Sequence, residues 1–437
     1  MQQYFHSVTL DSDKCKGCIN CIKHCPTEAI RVRQSKAHII KERCIDCGEC
    51  IRICPHNAKK AVTDSLSDIE KYKYKVAIPA PTLYGQFETV DDINLVLNAL
   101  KAIGFDDVFE VARAAEIVTL ATKDLILQNR ISFPIISTAC PAVVRLIRVR
   151  FPGLIDNLLP LLSPMEVAAK IMRKTSIEKT GLKPEEIGIF FISPCAAKMT
   201  DSKEPLGTSK SEVDGVIAIK DIYIPLTKAI NKLDKDNLES LASAGRHGVG
   251  WALNGGEASA LTDDEYISVN GINNVISVLE ELDENKFRNI KFAELGACTG
   301  GCVGGPLTVE NGFVADTRIK SLMRKLSKYT MESNMPDIRL EDVLWTSKPE
   351  YFSIMKLDDD MEKAMQKMQQ MDEIFERLPQ LDCGSCGSPS CKALAEDIVR
   401  GKGNEMDCVF NLRKRVQSLA KEMINLDENM INFKYEE

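Results

Sequence analysis

All 16 cysteines of this 437-residue chain fall into four sets of four. Cys15, Cys18, Cys21 and Cys25 form a C-x2-C-x2-C-x3-C run followed by Pro26, and Cys44, Cys47, Cys50 and Cys54 repeat it 29 residues later, followed by Pro55. Cys383, Cys386, Cys391 and Cys408 make a different cluster, C-x2-C-x4-C-x16-C, while Cys140, Cys195, Cys298 and Cys302 lie scattered between. An iron–sulfur cluster takes four thiolates, so cysteines used in quartets predict a chain built around such clusters. A disulfide scaffold would need a short exported chain without a large core, whereas 44% of these residues are apolar. Tetrahedral zinc prefers paired spacings, and C-x2-C-x2-C is too crowded for it. For the 383–408 set, zinc stays open as the alternative.

The remaining composition excludes several partners. A net charge of −7 gives no general attraction to nucleic acid or to an anionic membrane. No apolar run approaches the length of a membrane span, and the polar start MQQYFHSVTLDSD is not a signal peptide, so a reducing cytoplasm is expected. No phosphate-binding glycine loop or dinucleotide fingerprint occurs, which argues against NAD or flavin. The five histidines, two of them (His24, His56) beside cysteine-run ends, lack zinc-site spacing.

Three structural regions are expected, with an α+β cluster domain first, an α/β domain with parallel sheets next, and a small helical cluster domain last. Residues 1–62 carry the repeated run. In such repeats the fourth cysteine crosses over, which assigns Cys15, Cys18, Cys21 and Cys54 to one 4Fe-4S cluster and Cys44, Cys47, Cys50 and Cys25 to the other. Eight cysteines and two prolines in register resemble the bacterial dicluster ferredoxins. A linker at 63–75 precedes a domain at 76–360. There KVAIPAPT, FPIIST (133–138) and IGIFFIS (187–193) read as buried strands, alternating with helices at 91–104, 115–129, 143–151 and 164–181. A connecting helix at 361–378 carries Met361, Met365, Met368 and Met371, read as a packing face. The 379–410 module resembles small 4Fe-4S units. In the 411–437 helix, Leu412, Val416, Leu419 and Met423 have heptad-like spacing, expected to pack on the chain's own surface.

Cys140 sits in STACP and Cys195 in SPCAAK, each at a strand end, and Cys298 and Cys302 share the loop ACTGGCVGG. Taken singly, Cys140 and Cys195 would read as buried core thiols. Together the four can converge at the carboxyl edge of a parallel sheet, where α/β folds place ligands. These three motifs resemble those of the iron-only (di-iron) hydrogenases, over about residues 1–320. The resemblance implies that Cys140, Cys195, Cys298 and Cys302 hold a 4Fe-4S cluster. Cys302 would bridge to a di-iron subcluster carrying CO, CN and dithiolate ligands. It also implies that Lys198 bonds one cyanide, and that Ala80 and Pro81 line the other.

Against the active family, the proton-relaying cysteine before the first cluster ligand is replaced by Ala139. Aligned by eye, the relay acids and serine fall at Thr122, Leu125 and Leu159, and two methionines are replaced by Ser193 and Gly296. Glu116, Asp124 and the arginines at 145, 148 and 150 read as solvated helix faces. Hydrogen activation requires a positioned acid–base group. The resemblance therefore implies slow, reversible H2 oxidation and proton reduction, with a sensory or regulatory role resembling the family branch that carries alanine here without a PAS domain. Expected partners are H2, protons, a ferredoxin-like redox protein and a signalling partner at the C-terminal helix. The alternatives are an efficient hydrogenase with another proton route, or an iron–sulfur assembly-type relative that lacks the di-iron subcluster.

Overall fold

IGIFFI, residues 187–192, carries no polar side chain because its strand is buried on both faces. A computed structural model describes residues 5–128, 131–261, 265–287, 289–327, 339–354 and 356–433, with the side chains of 427–433 outside the description. Ile187–Ser193 lies inside a four-stranded parallel sheet ordered Asp107–Val108, Tyr74–Pro79, Ile187–Ser193, Gly215–Ala218. Alternate residues enter two separate cores. Ala77, Phe190, Ile192 and Ile217 join one, and Val76, Ile78, Ile189, Phe191 and Val216 join the other. Period-two side-chain alternation across a sheet covered on both sides requires this continuous apolar pattern.

A second parallel sheet orders Tyr266–Asn270, Phe292–Gly296 and Ile135–Ile136. The helices form close to their expected places, as Ile93–Ala102, Val111–Leu127, Pro141–Arg150 and Pro164–Thr180. Local chemistry sets their ends. Asp92 accepts from the Asn94 N–H at 2.9 Å, Pro164 opens its helix, and Gly181 closes it at φ 68°. The expected linker holds a short 3-10 turn, Leu66–Lys71.

The chain divides into two compact units that cut across the expected boundaries. Met1–Thr9, Cys44–Arg52 and Lys59–Phe352 form the first, and Leu10–Arg43, Ile53–Ala58 and Ser353–Glu437 the second. Buried ion pairs join distant segments within the second unit. Arg31 Nε meets Asp397 Oδ2 at 2.7 Å, Arg33 reaches the same oxygen at 2.8 Å, and Arg43 pairs with Glu396. The Val32 N–H also donates to the Gly387 carbonyl at 2.7 Å. Gly387 has φ 81°, and a Cβ there would lie 2.0 Å from the Val32 oxygen, so only glycine fits.

Two expectations about helix faces are corrected. On Met361–Arg377, the methionines at 361, 365 and 368 are exposed, and only Met371 packs against the small core around Ile374 and Leu394. On Val409–Phe433, the heptad-spaced apolar residues through Leu426 are exposed rather than packed on the chain's own surface.

Candidate metal centre

In the first unit, successive strand ends deliver the scattered cysteines to one cavity. Cys195 follows Ile187–Ser193 and caps Ala196–Lys203, and Cys140 follows Ile135–Ile136 and caps Pro141–Arg150. Cys298 and Cys302 follow Phe292–Gly296. All four line the same cavity, with Ala80 and Pro81 from the end of Tyr74–Pro79. Positive φ at Gly300 and Gly301 (83° and 88°) lets the Cys298–Cys302 loop turn, and a Cβ on Gly301 would strike the Asn254 nitrogen at 2.7 Å.

The thiols disfavour one another's ionisation. Burial, then charge on Cys298 and Cys140, pushes Cys195 up to about 12. Burial also raises Cys298, partly offset by Arg52. Four thiolates facing one cavity require a polyvalent cationic centre, which an iron–sulfur cluster supplies, so the donor set fits that group. Lys198 is buried on the same cavity wall, its Nζ 3.4 Å from Asp201 Oδ2. That long pairing leaves ammonium donors able to serve an anionic ligand.

At the positions that the resemblance assigns to a proton relay, the side chains are a methyl group, a hydroxyl and two leucines. Ala139 lines the cavity with a methyl group, the Thr122 hydroxyl donates to the Val118 carbonyl at 2.8 Å, and Leu125 and Leu159 are core residues. Ser193 is turned back on its own loop, its Oγ 3.0 Å from both the Cys195 oxygen and the Cys195 nitrogen. Gly296 lines the cavity with room beside it, since a Cβ would meet nothing nearer than 3.8 Å.

Ser137, Glu257 and Glu294 on the cavity wall were not anticipated from sequence. Ser137 Oγ donates to Glu257 Oε2 at 2.5 Å and accepts from the Ala139 N–H at 3.3 Å. Burial, with the charge of Glu294 second, raises the Glu257 carboxyl to about 8. Burial raises Glu294 too, against hydrogen bonds from the Ala258 and Gly255 amides. Glu257 lies in GWALNGGEA (250–258), where Asn254 is the only other residue with a hydrogen-bonding amide or acid side chain, and nothing local there marks it as a cavity residue. Glu116 and Arg145, expected on solvated faces, are buried instead. Glu116 pairs with Arg113 at 3.0 Å, and Arg145 donates to the Glu204 carbonyl at 2.8 Å. Asp124 is exposed as expected.

A ferredoxin-type segment of the first unit adjoins this centre. Cys44, Cys47 and Cys50 lie in Cys44–Arg52. Cys47 packs against the same apolar cluster as Cys140 and Cys195, and a Cβ on Gly48 would lie 2.4 Å from Pro306. Arg52 Nη1 donates to the Gly304 carbonyl at 3.1 Å, Nη2 pairs with Glu49 at 2.5 Å, and the guanidinium hydrogen-bonds Cys298. Although burial opposes its charge, Cys298 and Glu49 hold Arg52 above its ordinary range.

In the second unit, Cys383, Cys386, Cys391 and Cys408 line one small pocket, and Cys15, Cys18, Cys21, Cys25 and Cys54 belong to the same unit. The cysteine repeat is visible in its hydrogen bonds. Cys25 Sγ accepts from the Ala29 N–H at 3.2 Å and Cys54 Sγ from the Ala58 N–H at 3.3 Å, with left-handed Glu28 and Asn57 each at φ 49°.

With this geometry in place, comparison with known proteins identifies the class. The C-terminal domain of the iron-only hydrogenase large subunit matches residues 73–266 and 256–306, a 4Fe-4S dicluster domain matches 7–55, and an Fe-S cluster family matches 378–410. The chain belongs to the iron-only hydrogenase large-subunit family. It is 24% identical over 260 residues to iron hydrogenase 1 of Clostridium pasteurianum, covering 49% of this chain and 45% of that protein. It is 25% identical over 291 residues to the periplasmic [Fe] hydrogenase large subunit of Nitratidesulfovibrio vulgaris, covering 61% and 69%. The chain thus spans about half the first relative's length. A structure of a variant of the [FeFe]-hydrogenase HydA1 of Chlamydomonas reinhardtii shares the fold at TM-score 0.51 and 14% identity, over 66% of this chain and 98% of that one. Among the described residues no helix is long and apolar enough to cross a membrane.

Proposed function

We propose that this chain catalyses slow, reversible interconversion of H2 with two protons and two electrons, and that it serves as a cytoplasmic H2-responsive regulator. The observation that carries this reading is the convergence of Cys140, Cys195, Cys298, Cys302 and buried Lys198 on one cavity whose wall presents a methyl group at Ala139. When bound, a di-iron group on the four-cysteine cluster would supply H2 cleavage and electron acceptance. Cys302 would bridge the two parts, and Lys198 would hold one cyanide while Ala80 and Pro81 enclose the other.

The chain's own residues limit the proton step. Ala139 cannot take a proton. The nearest ionisable candidate by hydrogen bonding is Glu257, which Ser137 links to the Ala139 amide. A carboxyl titrating about pH 8 is neutral over much of the physiological range, and the group can both give and take a proton. It supports the alternative of a separate proton route, while the missing thiol keeps that route slow. Electrons would leave through the Cys44–Arg52 segment, whose Arg52 touches Cys298, to the remaining ferredoxin-type cysteines, with the Cys383 cluster as a second port to a ferredoxin-like partner.

The test is H2 evolution after loading with a synthetic di-iron complex. Low wild-type activity that rises in Ala139→Cys is expected, and fast wild-type turnover would sink the regulatory reading. Failure of the complex to load would favour the non-catalytic, assembly-type alternative.

A further inference from the structure

The Val409–Phe433 helix leaves an ordered apolar seam uncovered. Val409, Leu412, Val416, Leu419, Met423 and Leu426 recur at alternating steps of three and four, the a and d positions of a heptad, and are 42–71% exposed. Phe410 and Ile424 are exposed off this stripe, but the sustained a/d repeat itself is the pattern of a coiled-coil seam rather than of a helix face on a globular core. The charges are arranged against the helix's own dipole. No acidic residue lies in its first turn and no basic residue in its last, while Arg413, Lys414 and Arg415 cluster near the start. The sequence turns acidic at Glu422, Asp427 and Glu428. Basic residues near a helix N-terminus and acidic ones near its C-terminus destabilise an isolated helix.

We propose that this helix pairs antiparallel with the same helix of a second copy, making the protein a homodimer. Antiparallel pairing opposes the two macrodipoles and sets each basic start against an acidic partner segment. In the register that layers Val416 on Leu419 of the second copy and Leu412 on Met423, the g positions bring Arg415 opposite Glu422, twice by symmetry. A parallel pair would set Arg415 opposite Ala420 and Glu422 opposite Asp427, with no attraction at either position. Charge complementarity therefore selects both the occupant and its direction.

The test is anaerobic sedimentation of the cluster-loaded full chain over a range of concentrations, with iron content and visible spectrum confirming that each variant is folded. Wild type should dimerise, and Val416→Asp with Leu419→Asp should be monomeric. Each of Arg415→Glu and Glu422→Arg turns two attractive pairs repulsive and should weaken dimerisation roughly tenfold, and the two together should restore it. A wild type that stays monomeric would overturn the proposal, as it would mean that another protein or nothing covers the seam. A dimer indifferent to the aspartates would also overturn it. So would tighter association of Glu422→Arg alone, because in a parallel pair the new arginine would attract Asp427 of the second copy.

Discussion

Replacing Glu257 by glutamine should make the protein more stable and less active at once. Glutamine keeps an acceptor for the Ser137 hydroxyl but cannot ionise. In the fold Glu257 holds its proton up to about pH 8, whereas an unfolded glutamate releases it near its ordinary value of about 4.3. Between these values the unfolded chain binds fewer protons than the native one, so wild-type stability falls as pH rises through this window and levels off above it. At pH 7 the difference corresponds to roughly 3–4 kcal/mol, an upper bound because burial and the neighbouring Glu294 share the effect. Anaerobic thermal unfolding of the cluster-loaded protein from pH 5 to 9 reads this directly: the wild-type midpoint should decline and that of Glu257→Gln should stay flatter and higher. In protein loaded with the di-iron group, loss of the acid–base group should slow H2/D2 proton exchange by on the order of 10²-fold or more. A merely structural glutamate would not combine higher stability with lost exchange. Unchanged exchange in Glu257→Gln would refute the proposed proton role, and an unaltered pH dependence of stability would refute the raised pKa of Glu257.

Other consequences follow from named contacts. Arg52→Gln removes a cation beside Cys298, so the attached 4Fe-4S cluster should become harder to reduce. An EPR redox titration without the di-iron group should show a more negative midpoint, with Arg52→Lys intermediate. Asp397→Asn strands the buried Arg31 guanidinium and should cost about 3–5 kcal/mol. Anaerobic unfolding should show it, and clearing all three charges of the cluster with Arg31→Met, Arg33→Met and Asp397→Leu should cost less. Ala139→Cys should raise H2 evolution and leave the iron content of the clusters unchanged.

The sequence made the strands and the converging cysteines legible because local pattern determines both. IGIFFI (187–192) has no polar side chain since both sheet faces are covered, and each cysteine quartet carries its own spacing or motif. Residues whose meaning depends on distant partners were opaque. Nothing near Glu257 in the sequence shows that Ser137, 120 residues away, will bond it on the wall of the same cavity. Glu116 has the spacing of an exposed helix residue, yet its pairing with Arg113 is buried. The compact units likewise depend on Arg31, Arg33 and Arg43 finding Asp397 and Glu396, which lie more than 350 residues away. Single-sequence periodicity carries no information about such ion pairs.

The most direct test of the central claim is infrared spectroscopy of the protein after incubation with a synthetic di-iron complex and removal of the excess. If Cys140, Cys195, Cys298, Cys302 and Lys198 form the proposed site, protein-bound CN and CO bands should appear in wild type. They should be lost in Cys302→Ser and shifted in Lys198→Gln. Wild-type protein with its 4Fe-4S clusters intact but no such bands would contradict the account.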